Sequence, residues 1–163
     1  MFEAATIAAA DPREFYAELA RQAEGLLAGE RDWIANAANL SSLIFTSLPD
    51  LNWAGFYFLK DDALVLGPFQ GKPACVRIAV GRGVCGAAAQ QRRTLRVADV
   101  NEFPDHIACD SASRSELVVP LIVSGKVLGV LDLDSPKASR FGADDQAGIE
   151  RLAALFLKAS DVL

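Results

Sequence analysis

Three cysteines, Cys75, Cys85 and Cys109, one histidine, His106, and a group of acids spaced two apart are the reactive side chains of this 163-residue sequence. Outside an oxidising compartment, cysteines serve catalysis, redox exchange or metal binding more often than permanent crosslinking. A zinc site reads poorly, because there is no C-x-x-C pair and carboxylates would have to complete a set begun by one histidine. Redox thiol chemistry is the better reading. Cys109 lies in His106-Ile107-Ala108-Cys109-Asp110, inside a polar, proline-bearing segment that is a poor place to hide a structural thiol. His106 could support a thiolate there, or simply serve as a hydrogen-bonding group. Cys85, in Gly83-Val84-Cys85-Gly86, could equally be a small buried apolar residue.

Asp132 and Asp134 share one face of a strand, with Leu131 and Leu133 on the other. Two carboxylates on one face can grip a cation; on a solvated edge strand they would only oppose aggregation. Glu116 begins a neighbouring strand. If it faces the same pocket, three carboxylates crowd together and at least one keeps its proton near neutrality; otherwise it is a strand-terminal surface charge. Trp53 and Tyr57 fall on one face of an aromatic strand, as a pocket wall or as ordinary core.

The elements that must position these groups follow from periodicity. Residues 12–47 show two helical patterns, with Phe15, Leu19 and Leu26 on the first stripe and Ile34, Ala37, Leu40, Ile44 and Leu48 on the second. Asp11-Pro12 reads as a helix start. Strand patterns cover 51–60 and 63–69 as a hairpin, then 75–80, with a short helix over 83–91 and a brief strand over 94–97. The segment 98–115 has no steady period and is long for a compact domain, as functional loops are. Residues 116–123 and 126–134 form a second hairpin across Ser124-Gly125. A closing helix spans about 143–162, with Ile149, Leu152, Phe156 and Leu163 on its buried stripe. We therefore expect one α+β domain over 1–163: N-terminal helices over about 12–47, sheet and pocket over about 51–135, and an antiparallel sheet with terminal helices on one face and a ligand pocket on the other.

The quoted cysteine and acid stretches, with Asn52-Trp53-Ala54-Gly55-Phe56-Tyr57, Ser115-Glu116-Leu117-Val118-Val119-Pro120 and Gly129-Val130-Leu131-Asp132-Leu133-Asp134-Ser135, resemble the free methionine-(R)-sulfoxide reductases, which are built on a GAF domain. The resemblance spans nearly the whole chain, and the cysteine spacing of ten and then 24 positions belongs to the reductases rather than to GAF domains at large. It implies Cys109 as the nucleophile that attacks the sulfoxide sulfur and becomes a sulfenic acid. Cys75 is implied as the resolving thiol that forms a disulfide with it, and Cys85 as an alternative one. It further implies Glu116, Asp132 and Asp134 as acids that bind substrate and assist the reductive step, Asp99 as a further pocket acid, and Trp53 and Tyr57 as holders of the substrate methyl group. Residues 101–105 depart from relatives, which have a histidine first and a glycine before the match to His106. No bound cofactor or metal is implied. The implied partners are free methionine (R)-sulfoxide, a thioredoxin-type dithiol and a second copy of the chain.

A formal net charge of −5 argues against a nucleic-acid surface. The apolar run Leu117–Val123 is far shorter than the ~20 residues a spanning helix needs. The first ten residues lack the basic start of a signal peptide, so a cytoplasmic protein is expected. The rival readings are a GAF sensor that binds a small ligand without turnover and a thiol switch acting on a protein.

Overall fold

The computed structural model describes residues 2–105, 107 and 110–161; His106, Cys109 and Leu163 lie outside them. Helix α1 (Pro12–Leu27) starts where Asp11 accepts a hydrogen bond from the Arg13 N–H at 2.7 Å, with Pro12 in the first turn, where a missing N–H costs nothing. Helix α2 (Trp33–Ser47) is capped in the same way, Asp32 accepting from the Ala35 N–H at 2.8 Å. Six strands follow: β1 (Trp53–Lys60), β2 (Ala63–Gly71), β3 (Arg77–Ala79), β4 (Leu95–Val97), β5 (Ser115–Val123) and β6 (Lys126–Ser135). Helix α3 (Gly83–Gln91) falls between β3 and β4, and α4 (Ala143–Ala159) closes the fold.

The strands form one antiparallel sheet in the order β3-β2-β1-β6-β5-β4. The expected hairpins are present. The β5–β6 turn has positive φ at both Ser124 (48°) and Gly125 (77°), the twist that a two-residue hairpin favours. Opposite Phe56 the β1–β2 register slips, and Pro68 fits there because that stretch of β2 has no further strand to donate to.

The sheet separates two apolar layers. Residues Phe56, Leu117, Leu131 and Leu133 point to one face, where Leu19, Leu40, Ile44, Ile149, Leu152 and Phe156 of α1, α2 and α4 cover them; all are fully buried. Each such side chain contributes ~1.5–3 kcal/mol of transfer free energy, so this layer carries most of the stability. The opposite face presents Trp53, Tyr57, Val118 and Val130 to α3.

Two expected stripes shift. In α1 the inward residues are Tyr16, Leu19, Ala20, Ala23 and Leu27, leaving Phe15 and Leu26 half-buried at the margin. In α2, Ile34 is 45 % exposed, because Trp33 takes the inward position of the first turn and packs its ring 4.1 Å from that of Phe58. Strand β3 is shorter than expected, with Cys75 and Val76 in irregular backbone ahead of it.

Candidate active site

Strand β6 is central rather than at an edge, which removes the solvated-edge reading of its acids. Its alternation sends Leu131 and Leu133 into the helical layer and Asp132 and Asp134 to the α3 side. The neighbouring strands bring their partners by register: Asp134 lies opposite Glu116 of β5 and Trp53 of β1, and Asp132 opposite Gly55. Gly55 tolerates no side chain, since a Cβ there would stand 2.7 Å from the Trp53 ring and 2.3 Å from Phe69 Cβ. Trp53 consequently stacks between Phe69 (5.2 Å, 14°) and Tyr57 (5.8 Å, 26°). Helix α3 brings Cys85 from above. Its Gly86 packs where a Cβ would meet the Ala79 carbonyl oxygen at 2.4 Å, so the helix sits directly on the β3 turn.

Trp53, Tyr57, Cys85, Glu116, Asp132 and Asp134 thus line one cavity, with Ile107, Asp110 and Ser113 from the long loop and Lys72 and Arg82 from flanking turns. About 40 Å³ of it is open to the centres of water molecules. Glu116 and Asp132 are buried and Asp134 is half-buried, and three carboxyls crowded around one cavity cannot all be charged. Burial, with the Asp132 and Asp134 charges next, pushes Glu116 well above the usual carboxylate range. Burial and then Asp132 do the same to Asp134, against a hydrogen bond from Ser113. Asp132 rises to about 7 by burial, held down by hydrogen bonds from Cys85 and Glu116. The cluster near neutrality is therefore two protonated acids around one that is poised to ionise. Cys85, with Sγ 3.8 Å from Glu116 Oε1, has its thiol pushed up by burial and by Asp132 and Glu116, so it stays protonated. Cys85 Sγ and one oxygen each of Glu116 and Asp132 lie within 4.8 Å of one another, the donor set in this cavity that a cation would meet.

Asp132 Oδ1 and Trp53 Nε1 are buried without a hydrogen-bond partner among the described residues. An orphaned buried group costs ~1–3 kcal/mol. An acceptor and a donor left open on adjacent walls of one cavity suit a polar ligand.

Asp99 stands apart from this group. Its carboxylate accepts from the Asn101 N–H at 3.0 Å and from Arg114 at 2.7 Å, capping the 3₁₀ turn Val100–Glu102 in which the atypical loop begins. The Arg114 contact, with the Asn101 N–H next, holds its carboxyl below the usual range. Cys75 is half-buried and disulfide-bonded, and its carbonyl accepts the Tyr57 hydroxyl at 2.9 Å. Sequence reasoning passed over Asn52 and Ser113. Asn52 Nδ2 donates to Asp110 Oδ2 (3.1 Å) and Ser113 Oγ (3.0 Å), lashing the loop limb that follows Cys109 to the start of β1. The one available signal was an Asn directly before the aromatic strand.

The GAF domain family model matches residues 11–159. The chain is 55 % identical over 141 residues to the free methionine-R-sulfoxide reductase of Escherichia coli, covering 86 % of each chain. It is 46 % identical over 154 residues to the enzyme of that name from Saccharomyces cerevisiae, covering 90 % of this chain and 86 % of the other. The X-ray structure of free methionine-R-sulfoxide reductase from Neisseria meningitidis in complex with its substrate superposes with a TM-score of 0.93 at 43 % identity, over 98 % of this chain and 95 % of that one. With this domain, this cavity and relatives so close, the chain belongs to the free methionine-R-sulfoxide reductase family of GAF-domain proteins.

Proposed function

We propose that this protein reduces free methionine (R)-sulfoxide to methionine with two electrons from an external dithiol. The observation that carries the reading is the buried acid cluster beneath Trp53 and Tyr57, in a member of a family of that name. A non-catalytic sensor has no need of two acids held protonated beside a thiol-bearing loop.

In this reading the substrate methyl group lies against the Trp53 and Tyr57 side chains, and its ammonium group takes the open Oδ1 of Asp132 with Asp134 beside it. The Cys109 thiolate attacks the sulfoxide sulfur. Sulfoxide oxygen leaves poorly until it accepts a proton, and Glu116, kept protonated by burial, is the donor. Methionine departs and the oxygen ends on Cys109 as a sulfenic acid. The Cys75 thiol condenses with it, releasing water and forming a disulfide, which a thioredoxin-type dithiol reduces. Cys85 serves as a second resolving thiol, while its protonated, buried state keeps it from competing as nucleophile. Asp99 serves the substrate only through the loop it caps. A supply of reduced dithiol suits a cytoplasmic setting; among the described residues no helix is long and apolar enough to cross a membrane.

The test is thioredoxin-coupled oxidation of NADPH with separated R and S epimers of free methionine sulfoxide. Turnover of the R epimer alone is expected. Preference for peptide-bound sulfoxide, or no turnover with any thiol reductant, would overturn the reading.

A further inference from the structure

Among the described residues three large apolar side chains are exposed: Phe2, Ile34 and Val76. Val76, at 66 %, is the most open, and it directly follows disulfide-bonded Cys75. Its position is fixed by backbone on both sides. The Leu66 N–H donates to the Val76 carbonyl at 3.0 Å and the Tyr57 hydroxyl to the Cys75 carbonyl at 2.9 Å. Strand β3, which it precedes, is an edge strand, so no further element covers this side. Val76 is also not among the residues lining the cavity. An apolar side chain held rigidly in water has a cost that the fold does nothing to relieve.

Cations accompany it. Lys72 and Arg77 flank it in the chain and are exposed, and Arg82 lines the cavity with Ala74. Lys72 and Arg82 reach their acids, Asp110 and Asp105, only at 3.9 and 3.7 Å, beyond hydrogen-bonding distance. With Asp110 and Asp105 set against two of these cations, the rim keeps one positive charge, Arg77 directly beside Val76, that meets no carboxylate among the described residues, in a chain of net charge −5.

We infer that Val76 and this rim are the docking surface for the protein dithiol that recycles the enzyme, a partner whose paired thiols lie in an apolar surface of acidic surroundings. The inference rests on the reading under Proposed function. A partner thiolate attacks Cys75 Sγ and breaks its disulfide, and the displaced thiolate, that of Cys109 in the proposed cycle, takes up a proton. The second partner thiol then attacks the mixed disulfide and releases Cys75, so that two electrons and two protons pass from the partner to the enzyme. Docking at Val76 brings the attacking thiol to the neighbouring residue.

The experiment compares parent, Val76→Asp, Val76→Leu and Arg77→Glu proteins, each recycled by thioredoxin with its reductase or by dithiothreitol. Val76→Asp is expected to raise the KM for thioredoxin about 10-fold or more, and Arg77→Glu to raise it less. Val76→Leu should keep it, and turnover with dithiothreitol should match the parent in all. An unchanged KM for thioredoxin in Val76→Asp would overturn the inference. So would an equal loss with dithiothreitol, which would mark a structural role, or a shift from dimer to monomer with thioredoxin KM intact, which would mark a contact between copies of this chain. A parent that dithiothreitol recycles and thioredoxin does not would overturn the docking surface while leaving the reductase activity standing. A parent inert with both would overturn the activity and the docking surface together.

Discussion

Replacing Asp132 by asparagine should make the protein more stable at pH 8 and leave it no better at pH 4. The carboxyl ordinarily titrates at 3.8 and in the fold rises to about 7, chiefly through burial. Between those values the folded chain binds a proton that the unfolded chain does not, so stability falls as pH rises from about 4 to 7 and stays low above. At 1.36 kcal/mol for each pH unit, the loss is about 4 kcal/mol by pH 8. An amide of the same shape has no proton to retain and avoids it, while giving up hydrogen-bond geometry worth ~1 kcal/mol. The expected gain at pH 8 is therefore about 2–4 kcal/mol, or roughly 5–15 °C in Tm for a domain of this size. Loss of the Asp132 charge also eases the ionisation of Glu116 and Asp134, both of which that charge raises. The pH dependence should flatten further for that reason. Urea unfolding of the reduced proteins at pH 4, 6 and 8 measures this directly. A gain of equal size at all three values would show that the effect comes from packing, and a loss at pH 8 would show that Asp132 is already ionised and paired in the fold.

Cys109→Ser should abolish even one turnover, while Cys75→Ser should still yield one equivalent of methionine in quenched flow and then fail to recycle with thioredoxin; appreciable product from the first would remove Cys109 from its role. Acetylation of the substrate nitrogen removes a charge that Asp132, the acid of the cluster poised to ionise, is proposed to hold, at ~1.5–3 kcal/mol. Asp132→Asn should thus lower kcat/KM for the free amino acid by about one to two orders of magnitude and barely change it for the acetylated one; equal losses would mean that Asp132 does not read the ammonium group. Asn52→Ala frees Asp110 and Ser113 from β1 and should slow the single-turnover step about 10- to 100-fold, with thermal melting lowered only a few degrees; an unchanged rate would show that the loop holds its place without Asn52.

The central strand was legible because β alternation is strict. Leu131 and Leu133 against Asp132 and Asp134 could be assigned to opposite faces with no knowledge of the neighbours. Which strands flank β6 is a property of topology, so the choice between a cation-binding pair and a solvated edge had to wait for the order β1-β6-β5. Helical stripes drifted for a simpler reason. At 100° per residue, Trp33 and Ile34 are both plausible inward residues, and only packing against Phe58 decides between them. Asp99 looked like a pocket acid by resemblance, yet Arg114, fifteen residues on, takes its carboxylate. Asn52 gave almost no sequence signal, since its work is done by one amide bridging two residues about sixty positions away.

Strand β6 therefore meets two different demands at successive positions, apolar packing at 131 and 133 and the acids of the cavity at 132 and 134. A population maintained only for abundance should hold Leu131 and Leu133 and drift at 132 and 134 toward amides and small apolar residues, because the best-folded variants would be those that shed buried acids. One maintained for growth under methionine oxidation should hold all four. The same four-residue stretch would then record, as an alternating pattern of tolerated and rejected changes, which of the two demands the gene had been meeting.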